Sequence, residues 1–166
     1  MYVFIRALLT ALADASVEYC LVGGVAVNLH GVPRMTYDVD LVVAPDVEQL
    51  SAAARVLAGL GLVCRIPVKL EAFADVAYRE AMRDERNLIA VSYADPSDPL
   101  REVDVLVAPP IDARELVARA TRLSLGDVPV RVASIPDLIA MKRASGRQQD
   151  AADVVHLERI EKERHG

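Results

Sequence analysis

The sequence predicts an α/β (α+β) domain, a mixed central β-sheet flanked by helices and followed by C-terminal helices. Two observations carry this expectation. Apolar residues recur at helical spacing in some segments and alternate at every second position in others. The two kinds of segment interleave along the chain, yet some strands follow each other directly, which implies a mixed sheet. The chain has 166 residues, enough for one domain spanning 1–166, and no repeat or low-complexity tract breaks it. Hydrophobic residues make up 53%, so a sizeable core can form and a disordered chain is excluded.

Phe4, Ala7, Leu8, Ala11 and Ala15 fall on one helical face, so residues 2–15 open as an amphipathic helix. Glu18 to Val22 is a short apolar strand running into Gly23-Gly24, and residues 25–30 read as a short helix ended by Gly31 and Pro33. Tyr37 to Val43 alternates, with Asp38 and Asp40 on one face and Val39, Leu41 and Val43 on the other. Asp46 with Gln49 starts a helix that runs to about Leu60, where Gly59 and Gly61 stop it. Leu62 to Val68 is expected as a strand, about Phe73 to Asp84 as a helix, and Leu88 to Tyr93 as a strand. Residues 94–99, Ala-Asp-Pro-Ser-Asp-Pro, form a turn or hairpin loop. Arg101 to Val107 alternates again, with Glu102 and Asp104 on one face. Asp112 with Glu115 caps a helix expected to reach about Leu123, and Val128 to Val132 is a last strand. Ser134-Ile135-Pro136-Asp137 is a strong helix start. That helix breaks near Gly146, and a final helix covers about Gln149 to Lys162.

Nineteen Lys and Arg against 24 Asp and Glu give a net charge of −5, so no general field for polyanions exists. Contact with a nucleotide or nucleic acid must come from a local basic patch or from metal ions. Aromatics are 4% and Trp is absent, which argues against a base-stacking platform. Cys20 and Cys64 lack metal-ligand spacing and read as reduced thiols. No basic segment precedes the apolar opening run, and the uncharged stretch from Tyr19 to Pro33 is too short and polar to span a bilayer. A cytoplasmic chain with no membrane segment is expected.

The chemistry concentrates between Leu21 and Leu41. A glycine pair at a strand end lets backbone approach a ligand closely, and the free N–H groups of the following helix suit phosphate oxygens. Asp38 and Asp40 then converge on one strand face. Two such carboxylates repel unless a cation lies between them or one takes up a proton. Mg²⁺ suits them, because it prefers a few carboxylate oxygens with substrate phosphates and water. A third carboxylate on a neighbouring strand would complete a site for two ions about 3.5–4 Å apart. Asp104 has the right pattern, with Glu102 as the alternative on the same face.

Each feature has a plainer reading. A Gly-Gly pair is commonly a tight turn, Asp-x-Asp a solvated strand face, and Arg34 a surface loop arginine. It is the joint occurrence of the glycines, the Asp pair and Asp104 that favours chemistry. His30 reads as a helix-terminal histidine, not a zinc ligand, since no second His or Cys lies nearby. Lys142, Arg143 and Arg147 could form an ordinary basic turn, and Asp150 a helix cap. No Ser/His/Asp or Cys/His nucleophile set stands out.

A strand ending in Gly23-Gly24, then Asp38-x-Asp40 and a later Asp104, resembles the DNA polymerase β-like nucleotidyltransferase superfamily. With Arg34-x-Thr36 ahead of the Asp pair, and Lys142 followed by Gly146-Arg147 and the spaced Asp150 and Asp153, it looks most like the small bacterial abortive-infection, toxin-type members. The resemblance covers about 18–43 and 100–160; residues 45–95 match only in element order. It implies a nucleotidyltransferase fold and transfer of a nucleoside monophosphate from an NTP to an acceptor hydroxyl. By that resemblance Gly23 and Gly24 line the triphosphate, Asp38 and Asp40 hold two Mg²⁺ ions, and Asp104 joins them and orients or deprotonates the acceptor. Lys142 reaches the phosphates, and Arg34 and Thr36 join the nucleotide contacts. Gly24 departs from the many members with Ser there, so a hydroxyl contact to phosphate is missing. The implied acceptor is tRNA or a protein, beside an antitoxin partner. A small-molecule enzyme of the aminoglycoside or lincosamide kind and a non-catalytic nucleotide-binding module stay open as alternatives.

Overall fold

The computed structural model describes residues 2–165. Its centre is a seven-stranded mixed sheet in the order β3-β4-β5-β2-β1-β7-β6. The strands are β1 (Tyr19–Val22), β2 (Asp38–Val43), β3 (Val63–Cys64), β4 (Ala90–Asp95), β5 (Asp98–Leu106), β6 (Thr121–Leu125) and β7 (Val128–Val132). β2 pairs in parallel with β5, and β1 with β7; every other pairing is antiparallel. Helices α1 (Tyr2–Asp14), α2 (Gly23–Leu29), α3 (Val47–Gly59), α4 (Val76–Arg86), α5 (Ala113–Ala118), α6 (Ile135–Ser145) and α7 (Gln148–His165) flank it. One core cluster joins α1 through Leu8, Leu9 and Leu12 to sheet residues such as Leu21, Leu41, Val103 and Val130. Among the described residues, no helix is long and apolar enough to cross a membrane.

The helix starts expected from sequence are present as caps. The carboxylate of Asp46 accepts from the Gln49 N–H, and that of Asp112 from the Glu115 N–H, at 2.9 and 3.1 Å. At α6, Ser134 Oγ accepts from the Asp137 N–H at 3.2 Å and donates to Asp137 Oδ2 at 2.8 Å. Arg119 Nε and Nη2 close a bidentate pair on the same carboxylate, at 2.9 and 2.7 Å. That guanidinium holds the Asp137 carboxyl below the usual range, although burial acts the other way. Because this cap fixes the start of the helix carrying Lys142, Ser134→Ala should lower stability by about 1 kcal/mol. Urea unfolding of the two proteins, compared at equal slope, checks the loss.

Three segments differ from expectation. The helix after Asp112 stops at Ala118, and Thr121–Leu125 is an edge strand paired to β7 through a Gly126-Asp127 turn. Leu123 and Leu125 alternate with Arg122 and Ser124, a period of two inside what read as a helical run. The strand expected over 62–68 contains only two ladder residues; Arg65 adds one bond, from its N–H to the Ser92 carbonyl, before Pro67, which has no N–H to give. The helix expected from Phe73 is split: Leu70–Ala74 is a 3-10 turn, and α4 begins after Asp75, whose carboxylate accepts from the Tyr78 N–H at 2.9 Å. Both thiols are free, and burial pushes that of Cys20 up to about 12.

Candidate active site

β2 is half-open where it begins and sealed where it ends. Asp38 and Asp40 are partly exposed, Val39 is buried between them, and Leu41, Val42 and Val43 are all buried. Parallel pairing with β5 sets Asp40 opposite Asp104 and Asp38 opposite Glu102. One carboxylate oxygen from each of Asp38, Asp40 and Asp104 lies within 4.8 Å of the others. Glu102 is outside this cluster, its carboxylate bonded to Arg65 Nη2 at 2.8 Å. The choice between the two acidic residues of β5 therefore falls on Asp104.

Hydroxyl groups hold two of the three carboxylates. Ser92 Oγ, opposite Asp104 in the β4–β5 register, donates to Asp104 Oδ1 at 2.5 Å, and Thr36 Oγ1 donates to Asp38 Oδ1 at 3.2 Å. Asp40 is pushed up to about 7, by burial first and then by the charges of Asp38 and Asp104; Arg147 and Lys142 pull the other way. Three crowded carboxylates of this kind are a donor set for a hard divalent cation.

The glycine pair starts α2 directly against these groups. Gly23 has φ +66°, and a Cβ there would stand 1.9 Å from Asp40 Oδ2. At Gly24 a Cβ would stand 2.5 Å from Thr36 Oγ1 and 3.3 Å from the Arg34 guanidinium carbon. The missing serine hydroxyl at Gly24 thus has a steric counterpart, since Thr36 and Arg34 occupy that space. Asn28 holds the loop in place: its Nδ2 donates to the Arg34 carbonyl at 3.1 Å, and its Oδ1 accepts from the Arg34 N–H at 2.9 Å. Arg34 Nε is buried and has no hydrogen-bond partner.

Lys142 is buried, its Nζ 2.8 Å from Asp150 Oδ1 and 2.7 Å from Asp153 Oδ2. Arg34 Nη1 bonds the same Asp153 oxygen. Asp150 is no simple cap: it faces Lys142 and Ser145 across the break at Gly146, where φ is +64°. That break also takes Arg147 off the helix carrying Lys142 and Arg143. His30 is buried at the end of α2 with Nε2 2.8 Å from the Ala133 carbonyl, so it packs and caps as expected. A cavity of about 170 Å³ under Leu50, Phe73, Leu106 and Ile111 includes none of the site residues.

Sequence reading missed Ser92 and Asn28 as parts of this arrangement, and gave Asp153 only as one of two spaced aspartates, without its link to Arg34 and Lys142. Ser92 was accessible in principle, because it alternates with the apolar Val91 and Tyr93 and so shares a face with Asp104. Nothing local marks Asn28, whose partner lies across a loop.

A mixed sheet that brings a glycine pair against an acidic triad on adjacent strands defines the nucleotidyltransferase class. The fold is similar to that of the antibiotic-resistance factor ANT(2'')-Ia, whose solution structure superimposes with a TM-score of 0.61 at 15% identity, covering 99% of this chain and 84% of that one. The family model described as "Nucleotidyl transferase AbiEii toxin, Type IV TA system" matches residues 6–163. The chain belongs to this AbiEii nucleotidyltransferase toxin family, and is an enzyme of that class. No curated protein matches its sequence.

Proposed function

We propose that this chain, acting as one domain in the cytoplasm, moves a nucleoside monophosphate from an NTP to an acceptor hydroxyl on tRNA or a protein. Asp38, Asp40 and Asp104 hold the metal, and Asp104 also orients the acceptor or takes its proton. The observation that carries this reading is the convergence of the three carboxylates within 4.8 Å beside a backbone bare of side chains at Gly23 and Gly24. Mg²⁺ fits the donor set, and two ions are expected; bound there, Mg²⁺ supplies neutralisation of the triphosphate charge. The chain's own residues supply position. Gly23 and Gly24 let the triphosphate approach, and the unmatched Arg34 Nε is a donor available to a phosphate oxygen. Thr36 keeps Asp38 oriented, and Lys142, with three N–H donors and two carboxylate partners, has one donor left for phosphate. Membership of a type IV toxin family supports an antitoxin partner.

The test incubates the purified protein with each labelled NTP and Mg²⁺, alone, with total tRNA, and with an aminoglycoside. Pyrophosphate release and label transfer are followed. Label on RNA that disappears with EDTA and in Asp38→Asn is the expected result. Label on the aminoglycoside instead would move the acceptor to the small-molecule class. NTP binding without transfer leaves the nucleotide site and removes tRNA and the aminoglycoside as acceptors. Neither binding nor transfer would sink the catalytic reading in favour of a non-catalytic module.

A further inference from the structure

We propose that Asp153 is a positioning residue for the nucleotide: one of its carboxylate oxygens sets both Arg34 and Lys142 in place beside the acidic triad. The proposal rests on the reading of Arg34 and Lys142 as triphosphate contacts and goes beyond it, because Asp153 itself sits on α7, outside the Gly-Gly and Asp-x-Asp motifs.

Asp153 is buried, 5% exposed, in a helix whose other side chains are mostly exposed. Its Oδ2 accepts from Arg34 Nη1, on the α2–β2 loop, and pairs ionically with Lys142 Nζ, on α6, at 2.7 Å. The α2–β2 loop, more than a hundred residues away, and the neighbouring helices α6 and α7 meet at one oxygen. A residue that only pinned α7 to α6 would need Lys142 alone. Asp153 also reaches the loop that carries Thr36 into contact with Asp38, and it holds the Arg34 guanidinium over Gly24. With Asp150 the cluster holds two cations and two carboxylates, a balanced set that can stay buried without an uncompensated charge. The arrangement is asymmetric. Among the described residues, Asp150 hydrogen-bonds Lys142 and Ser145, whereas Asp153 joins both Arg34 and Lys142.

Charge and geometry predict opposite signs here. Removing one carboxylate makes the cluster more positive, so if Asp153 merely balanced charge, a polyanionic Mg·NTP would bind more tightly without it. If Asp153 positions the two donors, binding weakens, because donors held in place bind phosphate better than free ones. Asp153→Glu separates the two terms further, keeping the charge and moving it by one methylene.

The experiment titrates Mg·ATP and Mg·GTP into wild type, Asp153→Asn, Asp153→Glu, Arg34→Ala and the Arg34→Ala/Asp153→Asn double variant by calorimetry, with thermal melts of each. The expected result is that Asp153→Asn and Asp153→Glu each raise Kd by about tenfold at a temperature where both are folded. The double variant should lose no more than the larger single loss, a coupling that an independent structural role would not give. Should Asp153→Asn fail to fold, Asp153→Glu carries the same reading at unchanged net charge. Unchanged or tighter binding in the folded variants, or additive losses in the double variant, overturns the proposal while leaving the enzyme reading intact. A wild type that binds neither nucleotide overturns both.

Discussion

Asp40→Asn is expected to cut nucleotidyl transfer by at least about 100-fold and, at the same time, to raise the melting temperature of the metal-free protein. Both effects come from the same crowding. Asp40 lies on the central strand β2, opposite Asp104 and two residues from Asp38, and its carboxyl is pushed from 3.8 to about 7 by burial and those two charges. The folded chain therefore prefers Asp40 protonated, whereas the unfolded chain ionises it near pH 4. Below that pH the penalty is absent. It grows as pH rises from about 4 to about 7 and is complete above 7, where it is worth a few kcal/mol, of order 1.4 kcal/mol for each unit of displacement. Asparagine removes it, so the variant should melt higher than wild type by roughly 10 °C at pH 8, with the difference vanishing near pH 4. Added Mg²⁺ should raise the melting temperature of wild type at pH 8 more than that of Asp40→Asn, since only wild type has all three carboxylates to neutralise. Melting scans at pH 4 and pH 8, with and without Mg²⁺, beside a transfer assay, check these points. A variant less stable than wild type at pH 8 would show that Asp40 supports the fold instead of straining it.

The second large effect is expected at the glycine pair, with Gly23 more sensitive than Gly24. At Gly23 two costs combine. The backbone has φ +66°, where a non-glycine residue loses about 1–2 kcal/mol, and a Cβ would stand 1.9 Å from Asp40 Oδ2. Gly23→Ala should thus destabilise the protein and abolish transfer by displacing Asp40. At Gly24 φ is ordinary, so backbone strain is absent, and the obstruction is Thr36, with its Oγ1 at 2.5 Å and its Cβ at 2.8 Å. Gly24→Ala should therefore cost less stability and act mainly through Thr36, by freeing the Asp38 carboxylate that Thr36 orients. A double-mutant cycle tests the geometry at Gly23: in an Asp40→Ala background the Gly23→Ala penalty should shrink, leaving the backbone strain and the one remaining contact, to the residue-40 Cβ at 2.9 Å. An equal penalty in both backgrounds would place the obstruction elsewhere.

Legibility in the sequence followed the range of the forces involved. Four helix starts carry side-chain caps three residues from their targets, and those at Asp46, Asp112 and Ser134 were readable because both partners lie in one turn. The carboxylate face of β2 was readable from alternation alone. The hairpin at Gly126 was not taken from the sequence, although Leu123 and Leu125 alternate. Its strand gains its hydrogen bonds only from β7, so local pattern competed with a helix start just upstream at Asp112. Glu102 and Asp104 share a face and could not be ranked by pattern. Pairing places Asp104 opposite Asp40 in the cluster, while Glu102 turns to Arg65.

By itself the sequence determined the mixed sheet, its flanking helices, the glycine pair and the Asp38–Asp40 pair, because each is written in neighbouring residues: periodicity, caps, and a two-residue alternation that aims carboxylates one way. Only the tertiary structure decided how these become a site. The parallel pairing of β2 with β5 brings Asp104 to Asp38 and Asp40 across more than sixty residues of chain. The packing of α6 and α7 carries Lys142 and Asp153 to a loop near the other end of the sequence. Such contacts depend on which strand finds which partner and which helix faces inward, and those choices are made by burial of the whole core, not by any local run of residues.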